Sequence, residues 1–337
     1  MYKYAVSLLS ALLILSAGCG AKPAPSDTSG PAEEERLTIA VIPKGTQHVF
    51  WKSIHAGAVK ASRELDVDII WKGPIREDDR EAQIAEVENF ISRNVSGIVL
   101  APLDDKALRI PVTNAMRSDI PVVIVDSGLD SEDFVSFVAT DNHMGGKIAG
   151  ERMAEVLAGK GRVIMLRYLE GSASTNKREN GFMEVMGQHT DIEVVSSNQY
   201  AGASVESAQS ASENLLARFL DADGNLEVEG IYCPNESAVF GMLRALENLG
   251  VAGSVTFVGF DASEQLVKGM KDGFIDSLVV QDPINMGYLG VKTMVAHLCD
   301  EKVETRIDTG VKLITAATMG TPENQSLLKP DLKQWLD

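Results

Sequence analysis

Cysteine, histidine and positive charge are scarce in this chain of 337 residues. Three cysteines are too few for a disulfide scaffold, and none lies in a Cys-x-x-Cys pair. The five histidines are scattered, so no metal-binding spacing is present and we expect neither a metal nor a cofactor. Lys and Arg total 31 against 48 Asp and Glu, a net charge of −17, which argues against nucleic acid as a partner.

Long apolar runs are also missing, because the N-terminal run Ala5–Leu15 is too short for a membrane-spanning helix of roughly 20 residues. It follows the positive Lys3 and is followed by small residues and Cys19. This pattern resembles a bacterial lipoprotein signal over residues 1–18, which implies lipidation of the Cys19 thiol. The alternative is an ordinary secretory signal with an incidental cysteine.

A segment rich in proline and acidic residues follows the signal, over residues 19–36. Its composition cannot pack a core, so it is predicted to be a flexible tether. We therefore expect a lipoprotein of the cell envelope, with a body that begins at Leu37 and faces the periplasm or the extracellular side. The membrane is contacted only through the lipid.

The body alternates short apolar strands with helices, which is typical of an α/β fold with parallel sheets. Pro111 lies early in a predicted helix, where it either falls in the first turn or kinks the helix. The strands are predicted at 37–42, 67–71, 97–101, 121–126, 134–139, 162–166, 192–196, 230–233, 255–260 and 276–280. The helices are predicted at 50–65, 79–92, within 106–118, from Asp141 onward, and at 176–188, 204–220, 236–249 and 286–298.

The strand–helix pattern occurs twice, which predicts two similar Rossmann-like lobes. Residues 37–140 with 282–310 form the predicted N-terminal lobe, and 141–281 with 311–320 the C-terminal lobe. Residues 321–337 form a C-terminal extension. Cys233 and Cys299 fall in different lobes, so we expect two buried free thiols, although a disulfide is the alternative outside the cytoplasm.

Ligands of open parallel sheets bind beyond the carboxyl ends of the strands. The residues there are rich in planar hydrogen-bonding groups, with aromatic side chains alongside, which favours a polyol or monosaccharide. The acidic residues have an alternative role as helix caps, and Arg178 as a partner of Glu179 or Glu184. The predicted ligand-binding residues are His48, Phe50, Trp51, Asp126, Arg178, Tyr200, Asn235, Asp261 and Gln281.

Five segments resemble bacterial periplasmic substrate-binding proteins of the ribose-binding type, the type I sugar receptors of ABC importers. They are FVATDNHMGGKIAGERM (137–153), STNKRENGF (174–182), GIYCPNESAVFGMLRAL (230–246), VGFDAS (258–263) and VVQDP (279–283). The resemblance implies two lobes joined by three strands that cross near Thr140, Gln281 and Gly310. It also implies a monomer that captures a sugar by hinge closure and delivers it to a membrane permease.

By this resemblance Phe50 and Trp51 sandwich the sugar ring, Asp126 binds its hydroxyls and Arg178 contacts it from the second lobe. Three positions depart from the ribose binders: Ser127 stands where they have Arg, His48 where they have Asn, and Glu236 where they have Asp. These departures favour another pentose, a hexose or a sugar alcohol over ribose itself.

Other functions remain as alternatives at this stage. The same closed form would serve a chemotaxis or sensor-kinase pathway, and a nucleoside or a signalling furanone would fit the same fold. Catalysis is disfavoured, because no G-x-S-x-G motif is present and acidic strand ends are common in binding clefts. The related lactose-repressor family begins with a DNA-binding helix-turn-helix, whereas this chain is predicted to begin with an export signal.

Overall fold

The computed structural model describes residues 36–336, so the predicted signal, the lipidation at Cys19 and the tether up to residue 35 lie outside the described residues. The strands are β1 Thr38–Ile42, β2 Asp68–Trp71, β3 Gly97–Leu100, β4 Val122–Val125, β5 Ser136–Ala139, β6 Lys160–Arg167, β7 Asp191–Tyr200, β8 Gly230–Tyr232, β9 Thr256–Phe260, β10 Ser277–Gln281, β11 Arg306–Asp308 and β12 Val311–Thr315. The helices are α1 Val49–Leu65, α2 Arg80–Ser92, α3 Arg109–Arg117, α4 Asn142–Val156, α5 Ala173–Met186, α6 Val205–Leu216, α7 Glu236–Asn248, α8 Glu264–Lys271, α9 Pro283–Leu298, α10 Pro322–Leu328 and α11 Lys333–Leu336.

The strands form two six-stranded sheets, one in each lobe. The first has the order β11-β5-β4-β3-β1-β2, and all its neighbouring strands are parallel. The second has the order β12-β10-β9-β8-β6-β7 and is parallel except for β12, which pairs antiparallel with β10. The predicted fold, two α/β lobes with parallel sheets, is confirmed.

The central strands are continuous apolar runs because helices cover both faces of each sheet. Strands β3 (GIVL) and β4 (VVIV) are buried at every position. Helices α1 and α9 cover one face of the first sheet, where Trp51 and Met294 join the core, and α2 and α3 cover the other. In the second lobe α4 and α5 cover one face, and α6, α7 and α8 the opposite one.

The chain passes between the two sheets three times, after β5, after β10 and between β11 and β12. The first and third passages are hydrogen-bonded to each other. The Thr140 hydroxyl donates to the Gly310 carbonyl oxygen at 3.0 Å, and the Asp141 backbone N–H donates to Asp308 Oδ1 at 3.1 Å. The first and third connections therefore lie side by side between the lobes.

Several details differ from the sequence predictions. Pro111 is the third residue of α3 and needs no helical N–H partner there, so it does not interrupt the helix. Helix α9 begins at Pro283 rather than at 286, because Asp282 caps it by accepting from the Asn285 N–H. Helices α8, α10 and α11 and strands β11 and β12 were not predicted, and each of them has eight residues or fewer.

The two cysteines of the body are both free. Cys233 is buried at the end of β8, as predicted, whereas Cys299 is exposed. The expectation of two buried thiols is therefore wrong for Cys299, because this residue caps the C-terminus of α9 and lies beyond the packed face of that helix.

The C-terminal segment contacts both lobes. Leu328 of α10 packs into the core of the second lobe. Helix α11 lies against α1 of the first lobe, where the Arg63 guanidinium donates to the carbonyl oxygens of Gln334 at 3.2 Å and Trp335 at 3.1 Å. None of the helices within residues 36–336 is long and apolar enough to cross a bilayer.

In each lobe a glycine allows two helices to approach closely. A Cβ on Gly287 of α9 would lie 2.1 Å from the Ile54 carbonyl oxygen of α1. In the second lobe a Cβ on Gly146 of α4 would lie 1.9 Å from the Arg178 carbonyl oxygen of α5. These distances are far below van der Waals contact, so any side chain there must push the helices apart.

We predict that Gly287→Ala lowers the free energy of unfolding by about 1–3 kcal/mol or more, because the added methyl group overpacks the contact between α1 and α9. Gly187→Ala is the matched control, since a Cβ there would meet its nearest neighbour at 3.4 Å. Urea denaturation of the three proteins measures the difference. Equal stability of the two variants would contradict the close-packing argument.

Candidate functional site: a cavity between the lobes

The carboxyl ends of both sheets face one cavity. Its lining encloses about 350 Å³ of space free of protein atoms, part of it open to solvent. The lining residues are Lys44, His48, Phe50, Trp51, Glu77, Asp126, Tyr168, Ser174, Thr175, Arg178, Asn235, Glu236, Asp261 and Gln281.

Eight of the nine ligand-binding residues predicted from the sequence line this cavity, and Tyr200 does not. Tyr200 ends the edge strand β7, is 41% exposed, and its ring packs against the Arg167 guanidinium at 5.1 Å. Tyr200 therefore lies outside the cavity lining, and its contact with a ligand stays a prediction. The aromatic residue of this lobe in the cavity is Tyr168, which follows β6. For the other eight residues, contact with a ligand stays a prediction.

Asp126 and Asp261 occupy equivalent places, each directly after a buried strand of its lobe. Both have left-handed backbone, with φ of 61° for Asp126 and 70° for Asp261. Asp is one of the few non-glycine residues that adopts this conformation with modest strain. The left-handed turn at each Asp directs its carboxylate into the cavity. Backbone strain of this kind is often found at functional positions.

Arg178 of α5 connects the lobes electrostatically. Its Nη2 lies 3.9 Å from Asp126 Oδ1 of the first lobe, and its Nη1 lies 3.7 Å from Asp261 Oδ2. The guanidinium also donates to Asn142 Oδ1 at 2.7 Å and packs over the Phe260 ring at 3.9 Å. Since the side chain is 2% exposed, protein groups and not water surround the charge of Arg178.

Lys44 adds a second buried cation, which the sequence argument did not single out. Its Nζ lies 3.4 Å from Asp126 Oδ2 and donates to the hydroxyl of Ser174 at 3.1 Å. Ser127, where ribose binders have Arg, accepts the backbone N–H of Ser174 at 3.1 Å. The positive charges beside Asp126 are therefore Lys44, in the segment after β1, and Arg178, and not the residue after Asp126.

Two amide oxygens in the cavity have no hydrogen-bond donor among the described residues. They are Asn235 Oδ1 and Gln281 Oε1, and both are buried. Their amide nitrogens are occupied, since Asn235 donates to Ser237 Oγ at 3.0 Å and Gln281 to Asp261 Oδ1 at 2.7 Å. A buried acceptor without a donor is costly, so these two oxygens favour a ligand that donates hydrogen bonds.

Glu236 of the second lobe contacts the N-terminus of α1 in the first. Its Oε2 accepts the Phe50 N–H at 3.1 Å and its Oε1 accepts the Val49 N–H at 3.4 Å. Burial raises the pKa of Glu236 to about 7, and His48 opposes that shift. Burial likewise raises the pKa of Asp261, against the opposing effect of Arg178.

Six lining residues were not among the predicted ligand-binding residues: Lys44, Glu77, Tyr168, Ser174, Thr175 and Glu236. Lys44 lies in a strand-end segment of the sequence, and Tyr168 follows β6, where the same rule applies. Glu77 lies in the loop between β2 and α2, where no pattern marks it. Among residues 36–336 no group of three or more His, Cys, Asp and Glu is arranged to hold a metal ion.

Comparison with known proteins identifies the family of this chain. The family model described as a periplasmic binding protein domain matches residues 39–302. The chain belongs to this family. It is 30% identical over 278 residues to the ribose import binding protein of Haemophilus influenzae, covering 82% of this chain and 91% of that one.

Two solved structures resemble this periplasmic binding protein. A carbohydrate transporter solute binding protein of Agrobacterium radiobacter, in complex with D-arabinose, has 32% identity and a TM-score of 0.82, and covers 88% of this chain and 99% of that one. An ABC transporter solute binding protein of Agrobacterium vitis with bound D-fucose has 33% identity and a TM-score of 0.81. The match covers 86% of this chain and 99% of that one.

We predict that Glu236 makes the folded protein less stable as pH rises. A carboxyl whose pKa is raised from 4.5 to about 7 contributes stability below pH 4.5 that is lost as pH rises through 7. The loss is at most about 3 kcal/mol. Glu236→Gln removes this titration, so relative to the wild type the variant gains stability between pH 5 and pH 8.

Thermal unfolding of both proteins across that range measures the effect. The nearby Asp261 carboxylate is one of the groups that raise the pKa of Glu236, so the variant also removes the repulsion between these two carboxylates. A difference that does not change with pH would refute the assignment to Glu236.

Proposed function

We propose that this protein is an extracytoplasmic receptor that binds one monosaccharide or sugar alcohol between its lobes and delivers it to an ABC importer. The observation that carries the proposal is the cavity itself. Asn235 Oδ1 and Gln281 Oε1 accept no hydrogen bond from the described protein, and the Asp126 carboxylate and the rings of Phe50 and Trp51 line the same cavity.

A sugar meets each of these groups with a complementary one. Its hydroxyls donate to the amide and carboxylate oxygens, and Arg178 and Lys44 donate to its oxygens. Its C–H faces pack on aromatic rings. A site with buried polar groups rejects a sugar that lacks one hydroxyl, because the protein group is then left unpaired.

The mechanism we propose is capture by closure of the hinge. Asp126, Phe50 and Trp51 belong to the first lobe, whereas Arg178, Asn235 and Asp261 belong to the second. A ligand held by the first lobe gains the second set of contacts only when the lobes come together. It therefore shifts the protein toward the closed form by that difference in affinity.

Relatives support a sugar as the class of ligand. One is named for ribose import, and two similar structures contain D-arabinose and D-fucose. Ribose itself is disfavoured here, because the positive charge beside Asp126 comes from Lys44 and Ser127 is bonded to Ser174. The donors that face the ligand are therefore arranged differently from those of the ribose binders.

We infer binding and not catalysis for the carboxylates of this cavity. Each is already engaged with protein groups: Asp126 with Lys44, Asp261 with Gln281, and Glu236 with the N-terminus of α1. A catalytic pair needs one carboxyl free to protonate a leaving group and another free to act as base or nucleophile. Here these bonds hold the cavity wall in shape.

We also propose that the body is attached to the membrane through Cys19. The small residues before this cysteine form a lipoprotein signal, and the segment up to residue 36 would serve as the tether. A lipid on Cys19 would keep the receptor beside a membrane permease.

We predict that one sugar stabilises the protein in a thermal-shift screen of pentoses, hexoses and sugar alcohols, while its epimers do not. Ligand at about 1,000 times its dissociation constant stabilises by roughly 4 kcal/mol, a shift of several degrees. Asp126→Asn should lose the shift. Asp130→Asn, at an exposed ion pair with Arg109, is the control and should keep it.

A flat screen is followed by unfolding and refolding, which removes any sugar retained through purification. If the refolded protein also shows no shift, the sugar assignment is wrong, while the fold and its family are unaffected.

For the anchor, we predict that Cys19→Ser moves the protein from the membrane fraction to the soluble fraction of the cells that express it, because no thiol remains for the lipid. Radioactive palmitate should label the wild type and not the variant. Cys299→Ser is the matched control, since Cys299 is exposed but lies in the folded body. Label that persists in Cys19→Ser would refute this anchor.

A further inference from the structure

Glu77 is a buried carboxylate in the cavity wall with both of its oxygens bonded to protein groups. Its Oε1 accepts the indole N–H of Trp51 at 2.7 Å, and its Oε2 accepts the hydroxyl of Tyr168 at 2.9 Å. The His48 Nε2 lies 3.4 Å from Oε1. Glu77 therefore acts on the neighbouring side chains and is not free to serve as a principal acceptor for ligand hydroxyls.

The two donors come from opposite lobes. Trp51 lies on α1, in the same lobe as Glu77, and its ring forms part of the cavity wall. Tyr168 directly follows β6 of the second sheet. The bond between Trp51 and Glu77 is therefore kept whichever way the hinge moves, whereas the bond between Tyr168 and Glu77 requires the lobes to be together.

Tyr168 is well suited to donate. Burial and the adjacent Glu77 carboxylate raise the pKa of its hydroxyl well above the usual value, so the hydroxyl keeps its proton. Hydrogen bonds to a charged acceptor are stronger than neutral ones. This bond is therefore a strong candidate for an interaction that distinguishes the closed form from the open one.

The segment that begins at Tyr168 makes further bonds to the first lobe. The Asp105 N–H donates to the Gly171 carbonyl oxygen at 3.1 Å, and Lys44 Nζ donates to Ser172 Oγ at 3.3 Å. These bonds are direct and involve no ligand. Of the residues in this segment, Tyr168 is the one whose partner, Glu77, also accepts a hydrogen bond from Trp51 of the cavity wall.

We propose that Glu77 is a positioning residue for ligand capture, which fixes the ring of Trp51 and joins it to Tyr168 of the opposite lobe when the cleft closes. This inference rests on the proposed function, since it assigns Glu77 a part in capture by closure. Its consequence is that the sugar-free protein already has a measurable closed population.

The test measures the distance between the lobes without any sugar. Spin labels are attached to Ile110→Cys and Asn180→Cys, two exposed positions on α3 and α5, in the full chain with Cys19 and Cys299 changed to Ser. Tyr168→Phe should lower the ratio of closed to open molecules about tenfold, as expected for one hydrogen bond to a charged group. The wild type should show both distances.

Tyr232→Phe is the matched control, because Tyr232 is also fully buried in the second lobe but its hydroxyl has no partner among the described residues. It should leave the distance distribution unchanged. In a Glu77→Leu background Tyr168→Phe should have no further effect, since its acceptor is gone. Thermal unfolding of each variant separates a loss of stability from a change in closure.

Three results would overturn the proposal: a wild type with no closed population, equal distributions in Tyr168→Phe and Tyr232→Phe, or additive effects of Glu77→Leu and Tyr168→Phe. Because the measurement contains no sugar, it reads out independently of the sugar screen. Failure of that screen would remove the proposed ligand and leave the bond between the lobes to be judged on its own.

Discussion

A buried arginine between carboxylates of opposite lobes is the interaction on which the cavity depends. Arg178 lies within 4 Å of both Asp126 and Asp261, and all three side chains are buried. Two carboxylates and a guanidinium out of water are stable only with close partners and further hydrogen bonds. The backbone of Arg178 is in turn positioned by the close approach of α4 to α5, which requires Gly146. Helix packing in the second lobe is therefore coupled to the charge arrangement of the cavity.

The two lobes are built from the same structural features. Each has a central parallel sheet, a pair of helices brought together at glycines, and a strand-end aspartate with left-handed backbone. Duplication of this arrangement explains why a site between the lobes presents one carboxylate from each side. The lobes differ in what surrounds the aspartate, since Lys44 accompanies Asp126 whereas Gln281 accompanies Asp261. This asymmetry gives the cavity two chemically different ends.

Closure brings charged groups together at a cost that the bonds between the lobes must offset. Glu236 illustrates that cost, because burial against α1 raises its pKa to about 7 although two backbone N–H groups face it. Glu77 illustrates the compensation, because it gains the hydroxyl of Tyr168 from the other lobe. The balance between the cost of burying charged groups and the gain from bonds between the lobes sets the population of the closed form before a ligand binds. A receptor needs that balance to be close, so that a small ligand can shift it.

The sequence by itself determined the lobes and most of the cavity, because these depend on local patterns. Apolar runs such as GIVL predict buried parallel strands, and the carboxyl ends of such strands meet at one edge of a sheet, which is how Asp126 and Asp261 were found. Only the tertiary structure decided what depends on contacts between distant segments. Tyr200 is aromatic and near a strand end, but β7 is an edge strand and Tyr200 is not part of the cavity lining. Glu77 stands in a loop without a periodic pattern, and its role follows from two donors that the fold brings to it from separate parts of the chain, one of them from the opposite lobe.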